Sequence, residues 1–408
     1  MEMMAGEKVQ MDLDGNVTSP QGFSAGGMHC GIRKRKLDLG WLISDVPATA
    51  AGVYTTNQFQ APPIQVTKES ILVDNKIQGV LVNSGVANAC TGEQGMHDAI
   101  EMRRIFAEQI NVSDDHIAIA STGLIGVPLP VDRIKNGLTR FAEPEHQQTD
   151  RFEKAILTTD TCEKSAAVQI EIDGKTVTIG GAAKGSGMIE PNMATMLAFI
   201  TTDAEIAPAS LSVALKQAVN KTFNMITVDG DSSTNDMVLV MANGKAENDM
   251  LTENHPDWGR FLHGLGALCE QLAKMIARDG EGATKLIEVI VSGAESDEAA
   301  KKVSKTVISS NLVKTAVYGS DPNWGRIVCA IGYSGQPVNP ERVSVTLGEI
   351  NVVENGLPLP FSEQDGIDYL NQDTISIKID LRQGDGSATA WGCDLTYDYV
   401  KINASYRT

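Results

Sequence analysis

The residues with the most chemical potential are gathered in Gly180-Gly-Ala-Ala-Lys184-Gly-Ser-Gly187-Met-Ile-Glu-Pro191-Asn-Met-Ala194-Thr195-Met-Leu197. A strand pattern runs into glycine-rich backbone, then a proline, then a small residue and a threonine that opens an apolar run. Glycine permits strained backbone and close approach by other groups. A threonine entering a strand is ordinarily a β-former, and Lys184 taken alone is a loop surface charge. The chemical alternative is self-cleavage. The Thr195 hydroxyl attacks the carbonyl of Ala194, the acyl group shifts from nitrogen to oxygen, and water hydrolyses the ester. Thr195 then heads a new chain, with its hydroxyl and a free α-amine on one residue. Such an amine has a reference pKa of about 7.7–8.0, so it can serve as general base to its own hydroxyl. Acyl transfer further requires donors aimed at the developing oxyanion. Ser121-Thr122-Gly123 offers a hydroxyl and flexible backbone N–H groups, although a strand-ending turn explains the same residues.

Other chemistries find less support. Gly22-Phe-Ser24-Ala-Gly26 has the letters of a nucleophile elbow, but polar Thr18-Ser-Pro-Gln21 stands where a strand should lead in. Gly264-Leu-Gly266 lies inside a helical pattern and lacks a third glycine. The six histidines show no H-x-x-x-H spacing, so no metal site is expected from local pattern. The six cysteines are scattered without C-x-x-C, which fits a reducing cytoplasm rather than a disulfide framework. A net charge of −18 disfavours a nucleic-acid partner. The basic run Arg33-Lys34-Arg35-Lys36 reads as a solvated turn before a strand. No stretch approaches the ~20 apolar residues of a membrane span, and the N-terminus shows no apolar signal core.

These residues must be positioned by alternating strands and helices, so the class is mixed α/β. At 408 residues two domains are expected. Strands are predicted at 78–83, 117–120, 196–200, 237–241 and 286–291, with half-exposed strands at 343–347 and 375–379. Asp173-Gly174 between alternating residues predicts a hairpin over 168–179. Helices are predicted at 97–110, 131–142, 151–157, 210–223, 258–277 and 297–309. Glu143 to Thr149 is the most loop-like interior stretch.

Several segments taken in order resemble the ornithine acetyltransferase family, the bifunctional glutamate N-acetyltransferases of arginine biosynthesis. They are Asn83-Ser-Gly-Val-Ala-Asn88-Ala-Cys-Thr-Gly92, Ser121-Thr-Gly123, Thr158-Thr-Asp160-Thr161, Ala183-Lys-Gly-Ser-Gly-Met188, Ala194-Thr-Met-Leu197, Thr227-Val-Asp-Gly-Asp231-Ser-Ser-Thr-Asn-Asp236, Arg278-Asp-Gly-Glu281-Gly-Ala-Thr-Lys285, Ser320-Asp-Pro-Asn-Trp-Gly-Arg326 and Asn403-Ala-Ser-Tyr-Arg-Thr408. Each is weak alone; their order over nearly the whole chain is specific.

The resemblance implies a two-domain layered sandwich of sheets and helices, the fold of a self-processing N-terminal-threonine acyltransferase. It implies cleavage between Ala194 and Thr195, giving an α chain of residues 1–194 and a β chain of residues 195–408 headed by the nucleophile. Thr122 and Gly123 become the oxyanion hole; Thr158, Lys184, Thr195, Glu281, Asn403 and Thr408 bind substrate. The implied reaction is ping-pong. N-acetylornithine acetylates Thr195, ornithine leaves, and glutamate takes the acetyl group. No cofactor is implied, with acetyl-CoA a second donor in some members, and the processed chains assemble as α2β2. Lys184 suits a substrate carboxylate as a point charge, and Glu281 suits an amine, though by type alone Glu281 is an exposed carboxylate at a helix end. Two rivals remain at this point: a self-processing hydrolase that releases the acyl group to water, and a non-catalytic metabolite-binding protein.

Overall fold

The computed structural model describes residues 9–190 and 196–405. Two sheets organise the chain, each with helices packed against it. The first runs in the order Gln10–Asp12, Lys164–Ile172, Lys175–Lys184, Leu197–Thr202, Met237–Ala242, Leu39–Tyr54, Lys76–Val86 and Ile117–Leu124, with Phe23–Met28 also paired to Leu39–Tyr54. The second runs Leu357–Pro358, Ile350–Glu354, Ser344–Leu347, Thr374–Asp380, Leu286–Ala294, Gly386–Cys393 and Ile226–Thr227.

Local chemistry accounts for the elements nearest the site. Asp173 and Gly174 both take positive φ, 51° and 71°, the turn whose twist suits antiparallel strands. Ile172 pairs with Lys175 and the ladder continues to Lys164 opposite Ala183. Leu197–Thr202 is buried at every residue, as expected for a central strand covered on both faces. It runs antiparallel to Lys175–Lys184 and parallel to Met237–Ala242. The sheet therefore does not follow the expected division at residue 195: two strands from beyond that point occupy its middle, between Lys175–Lys184 and Leu39–Tyr54.

Trp258–Arg278 is the longest helix, and its buried stripe of Phe261, Leu265, Leu268, Leu272 and Ile276 follows helical periodicity. Leu268 and Leu272 pack on Gly181 of the first sheet, while Lys274 reaches Glu288 of the second at 3.1 Å and lies over the Trp391 ring. One helix thus joins both sheets into a continuous core. Each fully buried Leu or Phe contributes about 1.5–3 kcal/mol relative to exposure.

The element expectations hold with shifted ends. The helix at 297–309 appears as Asp297–Ser309, capped by the Ser296 side chain. The helix predicted over 131–142 stops at Leu138, and the one predicted from His97 begins at Gly92. Glu143 to Thr149 contains a 3-10 turn, Pro144–His146. Periodicity missed Leu39–Tyr54, Pro62–Asp74 and the terminal helix Tyr397–Ser405, of which no residue is buried. Ser24 lies within the strand Phe23–Met28 rather than at an elbow. Among the described residues no helix is long and apolar enough to cross a membrane.

Candidate active site

Lys184 ends the strand Lys175–Lys184, opposite Leu197. Its ammonium is buried and donates to Thr122 Oγ1 at 3.3 Å. Burial pushes this lysine's pKa down, against the pull of the nearby carboxylates Asp160, Asp236 and Glu281. Thr122 and Gly123 lie at the end of Ile117–Leu124, where the pairing with Lys76–Val86 becomes irregular at Gly85 and Val86. Gly123 has φ +130°, and a Cβ there would overlap the Gly85 backbone, so only glycine brings that amide so close to the neighbouring strand.

The other wall comes from the turn after Trp258–Arg278. Glu281 N–H donates to Ser186 O at 3.0 Å, and Ser186 Oγ donates to Asp279 O at 2.7 Å. Gly187 packs directly on the Glu281 carboxylate, where any Cβ would overlap it. Asn403, an exposed residue of the terminal helix Tyr397–Ser405, donates from Nδ2 to Glu281 Oε2 at 2.7 Å. Tyr399 of the same helix donates to Asp229 Oδ2 at 3.3 Å, and Asp229 accepts from the Met188 and Ile189 amides.

Thr122, Gly123, Thr158, Lys184, Glu281 and Asn403 all line one cleft of about 800 Å³, its open mouth included. Met196 and Leu197, which follow Thr195, line it as well. Ala194, Thr195 and Thr408 lie outside the described residues. Thr159 lines the cleft beside Thr158, whereas Thr161 turns away and donates through its hydroxyl to Asp279. By residue type alone Lys184 and Glu281 are surface charges; the structure corrects both, at 8% and 7% exposure.

Residue reasoning missed the supports beneath the cleft. Lys164 is fully buried and joins Asp160 Oδ1 at 2.8 Å to Asp279 Oδ2 at 2.5 Å. Asp160 also accepts from the amides of Thr158 at 2.9 Å and Gly185 at 2.7 Å, holding both segments in place. Burial alone would raise the Asp160 carboxyl, but Lys184 and Lys164 hold it well below the usual carboxylate range. Asn235 donates from Nδ2 to Ala87 O at 2.6 Å and Ser121 O at 2.9 Å, tying its loop to the Thr122 end. Arg33, from the basic run, donates to Leu157 O at 2.6 Å and Thr158 O at 3.3 Å. Asp160, Asp236 and Asp279 stand inside the quoted motifs, and that is the signal that could have found them. Lys164 has none, because a lysine at a strand end reads as solvated. Asp173, His255 and Asp257 also converge, joining positions with no local spacing signal, but they do not line the cleft.

The arrangement can hold an amino acid by both its charges. The Lys184 ammonium can pair with a carboxylate, and the Glu281 carboxylate, beside Asn403, with an ammonium. A hydroxyl and a glycine amide beside Lys184 can receive a developing oxyanion.

Comparison with known proteins follows the same line. The ArgJ family model matches residues 24–408. The arginine biosynthesis bifunctional protein ArgJ of Oceanobacillus iheyensis is 58% identical over 410 residues, covering 100% of both chains. That of Bacillus subtilis is 56% identical over 396 residues, 97% of each. The crystal structure of the protein of the same name from Bacillus halodurans is 57% identical, with a TM-score of 0.51 over 52% of this chain and 100% of the solved one. A match over nearly the whole length at this identity places the chain in the ArgJ family, the ornithine acetyltransferases that its ordered motifs resemble.

Proposed function

We propose that this chain cuts itself between Ala194 and Thr195, and that Thr195 then carries acetyl from N-acetylornithine to glutamate. The observation that carries the reading is the convergence of Thr122, Gly123, Lys184, Glu281 and Asn403 on one cleft lined by Met196, the residue next to Thr195. The Thr195 hydroxyl attacks the acetyl carbonyl; the Gly123 amide and Thr122 hydroxyl stabilise the oxyanion. The Thr195 α-amine takes the hydroxyl proton and passes it to the departing amine of ornithine. Glutamate enters by the same contacts, its carboxylate at Lys184, and its amine attacks the acetyl ester.

Support for cleavage comes from a proportion. The solved relative matches as a separate chain of about half this length, covered in full, which is what residues 1–194 or 195–408 alone would present. The word "bifunctional" in the relatives' names agrees with acetyl-CoA as a second donor. The reading further includes an α2β2 assembly in the cytoplasm and no resident cofactor.

The test is intact mass and N-terminal sequencing of the purified protein before and after N-acetylornithine. Two chains are expected, the second beginning at Thr195 and gaining one acetyl group that glutamate removes as N-acetylglutamate. Thr195→Ala should stay whole and transfer nothing. A single unbroken chain with full activity would reject the mechanism, and acetate released as fast with glutamate as without it would favour a hydrolase.

A further inference from the structure

The mature reaction gives the nucleophile its base, because the α-amine and the hydroxyl belong to one residue. The precursor has no such amine: the nitrogen of Thr195 is still an amide. Self-cleavage must therefore draw on some other group to take the hydroxyl proton and to protonate the departing nitrogen, or the N-to-O shift reverses.

Asp236 meets the requirements of place and chemistry. It lines the cleft with Lys184, Thr122 and Met196. Met237 pairs with Leu197 in parallel register and its N–H donates to Met196 O at 3.0 Å, so Asp236 stands beside the residue that follows Thr195. The backbone N–H of Met196 and the amide and hydroxyl of Ser233 face its carboxyl. The side chain is 4% exposed, yet Oδ2 has no hydrogen-bond partner among the described residues. An unpartnered buried carboxyl oxygen costs stability, and such groups persist where they have work to do. Burial pushes this carboxyl well above the usual range, with Lys184 pulling the other way, a shift that favours the protonated form a proton donor needs.

We infer that Asp236 is the proton shuttle of self-cleavage, a role distinct from acetyl transfer though resting on the cleavage reading above. The Thr195 hydroxyl proton passes to one carboxyl oxygen as the bond from Oγ to the Ala194 carbonyl carbon forms. The proton on the other oxygen passes to the Thr195 nitrogen as its bond to that carbon breaks. The carboxyl ends as it began, the product is an ester with a free amine, and one water hydrolyses the ester to the Ala194 carboxylate and the Thr195 hydroxyl.

The experiment follows cleavage by intact mass in the full chain, with melting temperature as the check on folding. Asp236→Asn keeps the shape and should be folded but cut at least about 100-fold more slowly, the scale of general acid–base catalysis. Asp236→Ala should be equally slow, and added formate, a carboxyl that fits the vacated space, should restore cutting. A merely structural side chain would not answer to formate. Cutting of folded Asp236→Asn at the wild-type rate, or of Asp236→Ala at a slow rate that formate leaves unmoved, overturns the inference. The wild-type chain separates this failure from the deeper one: if it is cut and these variants are too, only the shuttle is lost; if it is never cut, the cleavage reading falls with it.

Discussion

Glu281 owes its place to a residue that has no side chain. Gly187 lies flush against its carboxylate, so Gly187→Ala must drive Glu281 aside or shift the turn that carries it. Overpacking of this kind costs about 1–3 kcal/mol, and if Glu281 holds the substrate amine as proposed, its displacement should raise KM for N-acetylornithine at least about 10-fold, read by steady-state kinetics beside a thermal melt. Wild-type kinetics in that variant would show that Glu281 is not held as described. At this scale the sequence was legible where a residue's role follows from its own chemistry. Thr122 and Gly123 could be singled out because acyl transfer demands a hydroxyl and a flexible amide, whereas Lys184 taken alone read as a surface charge and drew its role from the family resemblance. Burial was not legible: whether Lys184 faces water or a closed wall is decided by Asp160, Asp236 and Glu281, which arrive from three distant segments.

Elements then decide which charges can stay dry. The Lys164 ammonium sits between Asp160 and Asp279 at the base of the strand Lys164–Ile172. Burial would lower its pKa, but the two carboxylates win and raise it. Asp160 is depressed, so its contribution to stability is present above the unfolded value of about 3.9 and is lost as pH falls below it. Lys164 is raised, so its contribution is present below about 10.4 and is lost as pH climbs through the folded value. Lys164→Met removes the cation that Asp160 and Asp279 share and should cost about 3–5 kcal/mol at pH 7, seen in denaturant melts. The stability gap between wild type and Asp160→Asn should be level from about pH 5 to 9 and close below about pH 4; a gap indifferent to acid would remove the ion pair from the account. The elements themselves were easier to read than their charges. The Asp173-Gly174 hairpin and the stripe of Trp258–Arg278 declare their periods locally. Leu39–Tyr54 did not, because a long strand paired on both sides carries mixed burial rather than alternation, and Tyr397–Ser405 buries no residue, so no core-facing stripe marks it.

At the scale of the molecule, the proposed cut lies, along the chain, between two strands that are neighbours in one sheet, Lys175–Lys184 and Leu197–Thr202. Leu197–Thr202 keeps its ladders to Lys175–Lys184 on one side and Met237–Ala242 on the other, so breaking the backbone at Ala194 severs no strand pairing among the described residues. The two products should therefore co-elute on a sizing column under native conditions and separate only in denaturant. Dissociation in plain buffer would mean that the shared sheet is not the seam described. An α2β2 particle should elute near twice the 43.6 kDa of the single chain.

That interleaving also dictates an order of events. Residues 1–194 made alone would leave Lys175–Lys184 and Leu39–Tyr54 with bare hydrogen-bonding edges where their missing neighbours belong, and open edges of this kind recruit stray chains. The remainder made alone would carry Leu197–Thr202 and Met237–Ala242 as a two-stranded apolar ribbon without flanks, too slight to hold itself together. Neither product is a workable starting material. If the chain cuts itself as proposed, it must reach its final shape while still continuous, and the scission would then be the last act of maturation, one that only the finished architecture could perform.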